Sequence, residues 1–484
     1  MSIHIKSGKY LQKSIIITSM LLISTHLSYA QQFSLYNSRT LYDSFENPSQ
    51  KAFQVDSSRR FAFNFFIPSL SANGTFSGPA KPAFKSLIYD GVFNGRDIEM
   101  GSTKPSILSL HSNNYIAMFR FLKDVKNYQE MGLSWQVRND MRLKVSNETF
   151  AIFDDYRILK NISDPNNFTI KDIFNNTGYN QAYHQFSFTY RQNYSKRFAV
   201  GAKFSVLSGI AYSSININES ELTKKEFDSF DISIRGNLRS NFKFDNFQTE
   251  MLLPNFKNAG FSVTASAGYK LRHGWTLMGN LKDLGFIRWN KNSYEYNFDT
   301  GKITISDGSD QSADDRLADS LDSKINSSAT NRSYLSATNG KAELLIHKDF
   351  GNYKPNLILS KSVYYGGGDI AMIHNYHYKD YVFTGSTNYN TNGILQVGGQ
   401  FMIKSPNAEF YLGSDQLFKT VEVIKNFSSD RHPYSSRYTG ASFYIGFGLK
   451  FGTVLEHRHN ASSTPGFRKN PISAFVKKIL GKKD

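Results

Sequence analysis

The feature that most restricts the fold of this chain is an alternation of apolar and polar residues. Between Gly440 and Gly452, six apolar side chains fall at every second position, with Ser, Tyr, Gly and Lys between them. Segments 131–138, 261–271 and 395–404 repeat the pattern, and further stretches such as 228–240 behave likewise. Because successive side chains of a strand point to opposite faces, a period of two predicts amphipathic β-strands along most of the chain.

Strand length and chemistry decide between a membrane barrel and a soluble β-sandwich or propeller, which would also alternate. A tilted strand that crosses a bilayer needs about ten residues, and the polar faces carry the Gly, Ser, Gln and Lys that suit a wet lumen. Tyr and Phe, 28 and 40 of the 484 residues, crowd the strand ends, where interfacial girdles lie. No repeat of roughly 20–50 residues supports a propeller. We therefore predict an all-β, transmembrane antiparallel β-barrel over residues 59–452, with about 14 strands (roughly 12–16).

The first thirty residues predict export. Three lysines precede an apolar run over residues 14–23, and Ser28-Tyr29-Ala30 places small residues at the two positions that define a cleavage site. This is typical of a signal peptide (residues 1–30) cleaved after Ala30. The alternative is an uncleaved anchor, although the run is too short to span a bilayer. We expect the mature protein in the outer membrane, with residues 31–58 folded back as a plug or hatch.

Residues 453–484 predict a basic periplasmic tail. Asn470 and Pro471 are typical of a helix start, and apolar residues then follow at helical spacing within residues 471–480: Ile472, Phe475, Val476, Ile479 and Leu480. Such a helix would lie on the periplasmic leaflet or dock on a periplasmic partner. The alternative is a solvated tail.

One run of residues in the middle of the chain is more specific than the strand pattern: Asp283, Leu284, Gly285, Phe286, Ile287, Arg288 and Trp289. It resembles the signature of an uncharacterised family of Bacteroidota outer-membrane barrels, a domain of unknown function similar in plan to the FadL and PorV barrels. Asn47 and Pro48 resemble the motif that introduces the plug of FadL-like barrels. The resemblance implies a barrel with a plug and no assigned activity.

The same run can also be read from its residues alone. Asp283 and Gly285 predict a strand end that enters a tight turn, since Gly frees φ and Asp bonds nearby backbone amides. Arg288 and Trp289 would then form an anchor pair at the membrane interface. The alternative is a ligand-contacting role.

If the apolar face of each strand meets lipid, the opposite face lines the lumen. That face would carry nine cations: Arg138, Arg142, Lys144, Arg191, Lys203, Arg235, Lys270, Lys404 and Lys450. Only Asp140, Glu148 and Asp231 oppose them, so we expect a positive lumen that concentrates anionic solutes or headgroups. The alternative is that several of these cations lie at strand ends and meet lipid phosphates at the rims.

No motif supports catalysis or metal binding. The absence of Cys excludes disulfides, thiol nucleophiles and cysteine metal sites. His374 and His377 would face opposite sides of a strand, Gly366–Asp369 lacks the Lys of a phosphate loop, and the acidic stretch 307–315 does not fit an EF-hand. Residues 314–325 predict instead a short helix with Leu317 and Leu321 inward. We expect no enzymatic activity, cofactor, metal or nucleic-acid partner.

Two functions follow, from different classes. The first is a FadL/PorV-like barrel that binds or transports a small amphiphilic or anionic solute, embedded in outer-membrane lipid and lipopolysaccharide. The second is a membrane anchor or interaction subunit of a secretion, adhesion or motility complex. A wide lumen with a displaceable plug favours transport, and a lumen filled with side chains favours the anchor.

Overall fold

A computed structural model describes residues 33–90, 98, 104–154, 169–225, 229–243, 249–305, 313–426 and 438–456. The predicted signal peptide and the predicted tail helix lie outside these residues. In the part of the chain that is described, no helix is both long enough and apolar enough to cross a membrane.

Strands dominate the described residues. In chain order they are β1 (Arg59–Phe63), β2 (Leu70–Ser77), β3 (Ser106–Asp124), β4 (Gln129–Val145), β5 (Thr169–Lys171), β6 (Thr177–Asn193), β7 (Phe198–Lys224), β8 (Phe230–Ser240), β9 (Ala259–Lys270), β10 (Trp275–Trp289), β11 (Tyr294–Asp299), β12 (Ile303–Ile305), β13 (Ala329–Asn331), β14 (Tyr334–Ala337), β15 (Lys341–Lys348), β16 (Tyr353–Ser362), β17 (Gly368–Tyr378), β18 (Tyr381–Asn390), β19 (Leu395–Lys404), β20 (Ala408–Ser414) and β21 (Tyr438–Val454). The helices are α1 (Leu41–Glu46), α2 (Lys81–Asp90), α3 (Asn147–Asp154), α4 (Ala313–Ser327) and α5 (Leu417–Asn426).

The wall is a closed antiparallel barrel of 14 strands. β1 and β2 together make the first wall strand, and β21 pairs with both, which closes the cylinder. The other wall strands are β3, β4, β6, β7, β9, β10 and β15–β20, each paired with its neighbours. The predicted fold class and the central strand count are therefore confirmed.

The two faces of the wall differ as the alternation predicts. On β4, Leu133 is 59% exposed on the outside, whereas Gln136, Arg138 and Asp140 are buried on the inside. The same division holds on β9, where Phe261 is exposed and its neighbour Ser262 is buried. An apolar outer band around a polar interior is the arrangement that a barrel needs in lipid.

The two rims of the barrel are unlike each other. The rim that holds both wall termini, here called the terminal rim, has short turns such as residues 194–197, 271–274 and 349–352. Exposed aromatic side chains surround it: Tyr194, Trp275, Phe350, Tyr376, Tyr378 and Tyr381. The opposite rim, the loop rim, carries the longer connections. Short turns at one rim and longer loops at the other are typical of transmembrane β-barrels.

Above the loop rim, one side of the barrel rises as a β-extension. The 27-residue β7 continues past the wall, where it pairs with β8, and β11 and β12 pair with β8 in turn. The helix α4 packs on this sheet through Leu317 and Leu321, as predicted from residues 314–325. Within segment 228–240, which the alternation assigned to a strand like the others, residues 230–240 therefore belong to the extension as β8.

In addition to register shifts within paired strands, the wall has a break in its first strand and a short strand, β20. The first wall strand breaks between β1 and β2, where Asn64 fills the break by donating to the carbonyl oxygens of Ile67 and Ile116 at 2.9 and 3.1 Å. The strand β20 ends at Ser414, and α5 lies above it in contact with both β19 and β21. Apolar side chains of α5 such as Phe418, 70% exposed, face outward.

Candidate functional site in the barrel lumen

Residues 33–58 occupy the lumen. Thr40 caps the short helix α1 by accepting a hydrogen bond from the Asp43 amide at 3.1 Å, as N-cap threonines do. All six residues of α1 are buried, and Leu41 and Phe45 pack within a cluster of apolar wall side chains. The segment Phe33–Ser58 therefore fills the space that the wall encloses.

The wall is shaped to receive this segment at two glycines. A Cβ atom at Gly201 of β7 would lie 2.2 Å from the carbonyl carbon of Pro48. A Cβ atom at Gly132 of β4 would lie 2.8 Å from the ring of Phe45. Real Cβ atoms do not approach other heavy atoms so closely, so the N-terminal segment contacts the wall backbone directly at both places. The predicted motif Asn47-Pro48 lies at this contact.

A β-bulge in β10 forms the charged centre of the lumen. The register shifts between Leu281 and Leu284, and Asp283 has a φ of 50°. Because a bulge adds one residue to the strand, the adjacent side chains of Lys282 and Asp283 both point inward, where they are 6% and 1% exposed. The bulge therefore places a cation and an anion side by side in the lumen.

Asp283 is the anion at the centre of this cluster. Its carboxylate pairs with the guanidinium of Arg138 on β4 and, at 2.9 Å, with the ammonium of Lys203 on β7. It also accepts hydrogen bonds from Gln185 at 2.9 Å and from Thr264 at 3.2 Å. Side chains from β4, β6, β7 and β9 thus contact one carboxylate of β10. These ion pairs and hydrogen bonds compensate for the burial of its charge.

Glu46, at the end of α1, joins the N-terminal segment to the charged cluster. One carboxylate oxygen pairs with the ammonium of Lys282. The other accepts hydrogen bonds from Asn113 and Tyr115, both at 2.7 Å. Although burial alone would raise the pKa of Glu46, the cations around it, Lys282 first, lower that pKa to about 2. Glu46 is therefore ionised and fully bonded in the lumen.

A second charged layer lies nearer the terminal rim. Arg120 of β3 and Glu130 of β4 form an ion pair at 2.6 Å in which both side chains are fully buried. Arg120 also donates to the carbonyl oxygen of Ser44 at 2.5 Å, and Glu130 accepts from the Ala52 amide at 3.2 Å. Arg191 donates to the Ser49 carbonyl at 2.7 Å. These wall charges bind the backbone of the N-terminal segment.

A third set of contacts holds the start of α1. Lys404 donates to the carbonyl oxygens of Ser38 and Arg39 at 2.6 and 2.9 Å. Glu409, paired with Lys450 at 3.5 Å, accepts from the Leu41 amide at 2.5 Å. Burial raises the pKa of Asp43, which follows on the same helix, to about 7.

A polar cavity of about 70 Å³ lies at the loop rim. Its lining contains amides and hydroxyls, and the charged or titratable groups His111, Arg142, Lys341 and Asp369. Gly366–Asp369, the run that lacks the Lys of a phosphate loop, contributes to this lining. A larger cleft of about 300 Å³ lies on the β-extension, between charged residues of β5, β7, β8 and β11.

The nine predicted lumen cations do not share one environment. Five of them bond inside the lumen, either to the N-terminal segment or to wall carboxylates: Arg138, Arg191, Lys203, Lys404 and Lys450. Arg142 lies at the loop rim and donates to the Gly366 carbonyl at 2.6 Å. Lys144 and Lys270 are exposed at opposite rims.

Arg235 is a correction to the expected lumen set. It lies on β8 above the wall, 57% exposed, and pairs with Glu219 and Asp299 at 2.8 Å. Two of the three expected lumen anions also lie elsewhere, since Glu148 is on α3 and Asp231 is on β8. The parity count failed here because it assumed that every amphipathic strand belongs to the wall, and that β4 continues beyond Val145 to residue 148.

A family model matches residues 52–415 of the 484-residue chain, and it describes a family of unknown function, DUF5723. The chain belongs to the DUF5723 family. This membership confirms the predicted resemblance to a family of unknown function. No curated protein matches the chain.

Solved structures with some similarity to this DUF5723 chain include three hydrocarbon channels or transporters. A TodX deltaS2S3 mutant monoaromatic hydrocarbon channel has a TM-score of 0.42 at 8% identity, covering 88% of this chain and 95% of its own. The P. putida toluene transporter TodX has a TM-score of 0.37 at 8% identity, covering 86% and 94%. The Ralstonia pickettii toluene transporter TbuX has a TM-score of 0.27 at 8% identity, covering 82% and 90%.

The signature run of this DUF5723 member departs from its predicted role. Residues Asp283–Gly285 are not a turn at a strand end, because β10 continues from Trp275 to Trp289 with the bulge inside it. Trp289 is not an interfacial anchor either: it is fully buried, stacks on Tyr212 at 5.3 Å and donates to Ser336 at 2.7 Å. The bulge is the reason, since it shifts Trp289 from the lipid face to the lumen face.

Apart from Asp140, which is buried on the inside of β4 as expected, sequence reasoning did not assign the carboxylates of the lumen or several of their partners to it. The missed residues are Glu46, Arg120, Glu130, Lys282, Lys341, Glu343 and Glu409. Glu130 has the same parity on β4 as Arg138, so the alternation itself could have identified it. Lys282 and Asp283 carried no such signal, because neighbouring residues of a regular strand cannot share a face.

His374 and His377 both lie on β17. Tyr353 bonds His374 through Nδ1 at 2.6 Å, and the described residues contain no group of three or more His, Asp or Glu able to hold a metal. The acidic stretch 307–315 falls largely outside the described residues.

Proposed function

We propose that this protein is a plugged outer-membrane barrel that binds and passes a small anionic or amphiphilic solute. The observation that carries this proposal is how the N-terminal segment is held. Residues 33–55 bond to the wall through side chains, and no strand ladder joins them to it in the described part of the chain. A segment held in this way can leave the lumen while every wall strand keeps both of its neighbours.

The remaining parts of the chain fit the same proposal. Residues 1–30 would direct export and be removed after Ala30, residues 31–58 would be the plug, and residues 59–452 the barrel. The polar cavity at the loop rim would receive the solute first, with Arg142 and Lys341 attracting negative charge. The tail, residues 453–484, would bind the periplasmic leaflet or a periplasmic protein.

Single-channel conductance in planar lipid bilayers tests this function. The mature chain is compared with a variant that lacks residues 31–58, in salts that separate anion from cation permeability. We expect little current from the mature chain and a larger, anion-selective current from the variant. Silence from both proteins, with insertion confirmed by protease protection of the wall, would refute the transport function.

One observation favours a second candidate, the interaction subunit. The lumen is filled by buried charge pairs such as Arg120–Glu130, and the β-extension presents a charged cleft above the membrane. A barrel that stays closed could use that cleft to bind a partner outside the cell. Silent bilayers together with a partner captured by the extension would support this candidate over transport.

A further inference from the structure

We propose that Glu46 of the plug occupies a binding site for organic carboxylates, and that a carboxylate solute opens the barrel by competing with Glu46 for it. This inference rests on the proposed transport function and adds the chemistry of the solute and its site. The site is made by the wall: Lys282 of β10 with Asn113 and Tyr115 of β3.

The donors around Glu46 match a carboxylate and not merely a negative charge. Lys282 binds one oxygen, while the Asn113 amide and the Tyr115 hydroxyl both donate to the other at 2.7 Å. Exposed fractions of 8% for Asn113 and 0% for Tyr115 show that these donors are withdrawn from solvent. Charge-assisted hydrogen bonds of this kind are stronger than neutral ones and fix the orientation of a planar group.

Charge balance gives the second argument. Four wall cations lie among four carboxylates: the cations are Lys282, Arg138, Lys203 and Lys341, and the carboxylates are Asp283, Asp140 and Glu343 of the wall and Glu46 of the plug. The cluster is therefore neutral only while the plug is in place. Without Glu46, four cations face three carboxylates, and a buried unpaired charge is costly. An anion from outside would restore the balance.

Glu343 does not replace Glu46 in this arrangement. Its carboxylate oxygens accept hydrogen bonds from Tyr36 at 2.6 Å and from Asn280 at 3.2 Å. When the plug leaves, Glu343 loses the hydrogen bond from Tyr36. It keeps the hydrogen bond from Asn280, which lies opposite it on β10. The donors Asn113 and Tyr115, on the β3 side of the cluster, lose their acceptor when the plug leaves.

The apolar surroundings specify the rest of the ligand. Phe45, next to Glu46, packs in one cluster with Tyr115 and Met118 of the wall. Withdrawal of Phe45 would leave an apolar space beside the carboxylate donors. A short carboxylate with an apolar chain would therefore fill the place of both plug side chains.

Butyrate is the probe for a first test, with butylammonium as the control of opposite charge. Binding is measured by titration calorimetry on the detergent-solubilised mature protein, its Glu46→Gln variant and the Glu46→Gln/Lys282→Gln double variant. Glu219→Gln, which removes an exposed carboxylate of the β-extension, is the matched control. Heat-modifiable gel mobility verifies that each barrel is folded.

We expect Glu46→Gln to lower the Kd for butyrate at least tenfold, because the internal competitor is gone. The double variant should lose that gain, Glu219→Gln should behave as the parent protein, and butylammonium should not bind the site. Equal butyrate affinity for the parent and the Glu46→Gln variant would overturn the inference. A lower Kd for butyrate that persists in the Glu46→Gln/Lys282→Gln double variant would also overturn the inference.

The outcome is separable from that of the proposed function. If removal of residues 31–58 opens an anion-selective current but Glu46→Gln leaves butyrate affinity unchanged, transport stands and the competition fails. If the barrel stays silent without the plug while Glu46→Gln binds butyrate more tightly, the site stands and transport through the lumen fails.

Discussion

Gly201→Ala should loosen the plug without opening the wall. The added Cβ atom would lie 2.2 Å from the carbonyl carbon of Pro48, 2.3 Å from its oxygen and 2.6 Å from the nitrogen of Ser49. Carbon atoms in contact lie about 3.5–4.0 Å apart, so the plug backbone must retreat by more than about 1 Å. Overpacking of this kind costs about 1–3 kcal/mol. Since about 1.4 kcal/mol is tenfold, docking should weaken roughly 5- to 150-fold.

Thiol labelling measures this displacement directly, because the chain contains no Cys. Ser44→Cys introduces one thiol at a plug position that is 0% exposed, and N-ethylmaleimide reacts with it only when the plug leaves. The labelling rate should be roughly 5- to 150-fold higher in the Gly201→Ala background, as docking weakens by that factor. Gly279→Ala is the matched control, since no described atom lies within 4 Å of its added Cβ. Equal labelling rates in the two backgrounds would show that the plug does not rest on Gly201.

Three further predictions use the same protein. Burial raises the pKa of Asp43 to about 7, above its value of 3.8 in an undocked segment; protonated Asp43 therefore favours docking at low pH, and this contribution is lost as the pH rises through 7. The labelling rate of the Ser44→Cys thiol, divided by the rate in the unfolded chain, should increase from pH 5 to pH 8. Asp43→Asn should make this rate less dependent on pH. Glu130→Gln leaves Arg120 buried without its counter-charge and should cost about 3–5 kcal/mol of stability, seen as a lower unfolding midpoint. Trp289→Ala should cost about 3–5 kcal/mol through the cavity that it leaves; a midpoint unchanged from that of the parent would place the side chain in lipid instead.

The architecture was predictable because one physical rule governs most of it. A strand with lipid on one side and a polar interior on the other must alternate, and segments such as 261–271 alternate without interruption. The β-extension was not distinguished from the wall, because β8 also has one apolar face, which packs on α4 and not on lipid. Alternation reports that a face is buried, but not which apolar environment covers it.

The lumen site was predictable only in part, and the failures share a cause. Arg138 and Lys203 were assigned to the lumen by counting every second residue. The same count cannot place Lys282 beside Asp283, because it assumes a strand without a bulge. It also says nothing of Glu46, which lies outside the strands and reaches the cluster only because the chain folds back into the barrel.

The bulge at Lys282 and Asp283 also has a consequence for how this family can change by mutation. Each substitution in β10 affects one side chain, whereas loss of a single residue at the bulge would reverse the facing of the whole segment that follows. Ile287 and Trp289 would then turn to lipid, and Arg288 would turn to the interior. We therefore expect the number of residues between Leu281 and Trp289 to be inherited more strictly than their identities.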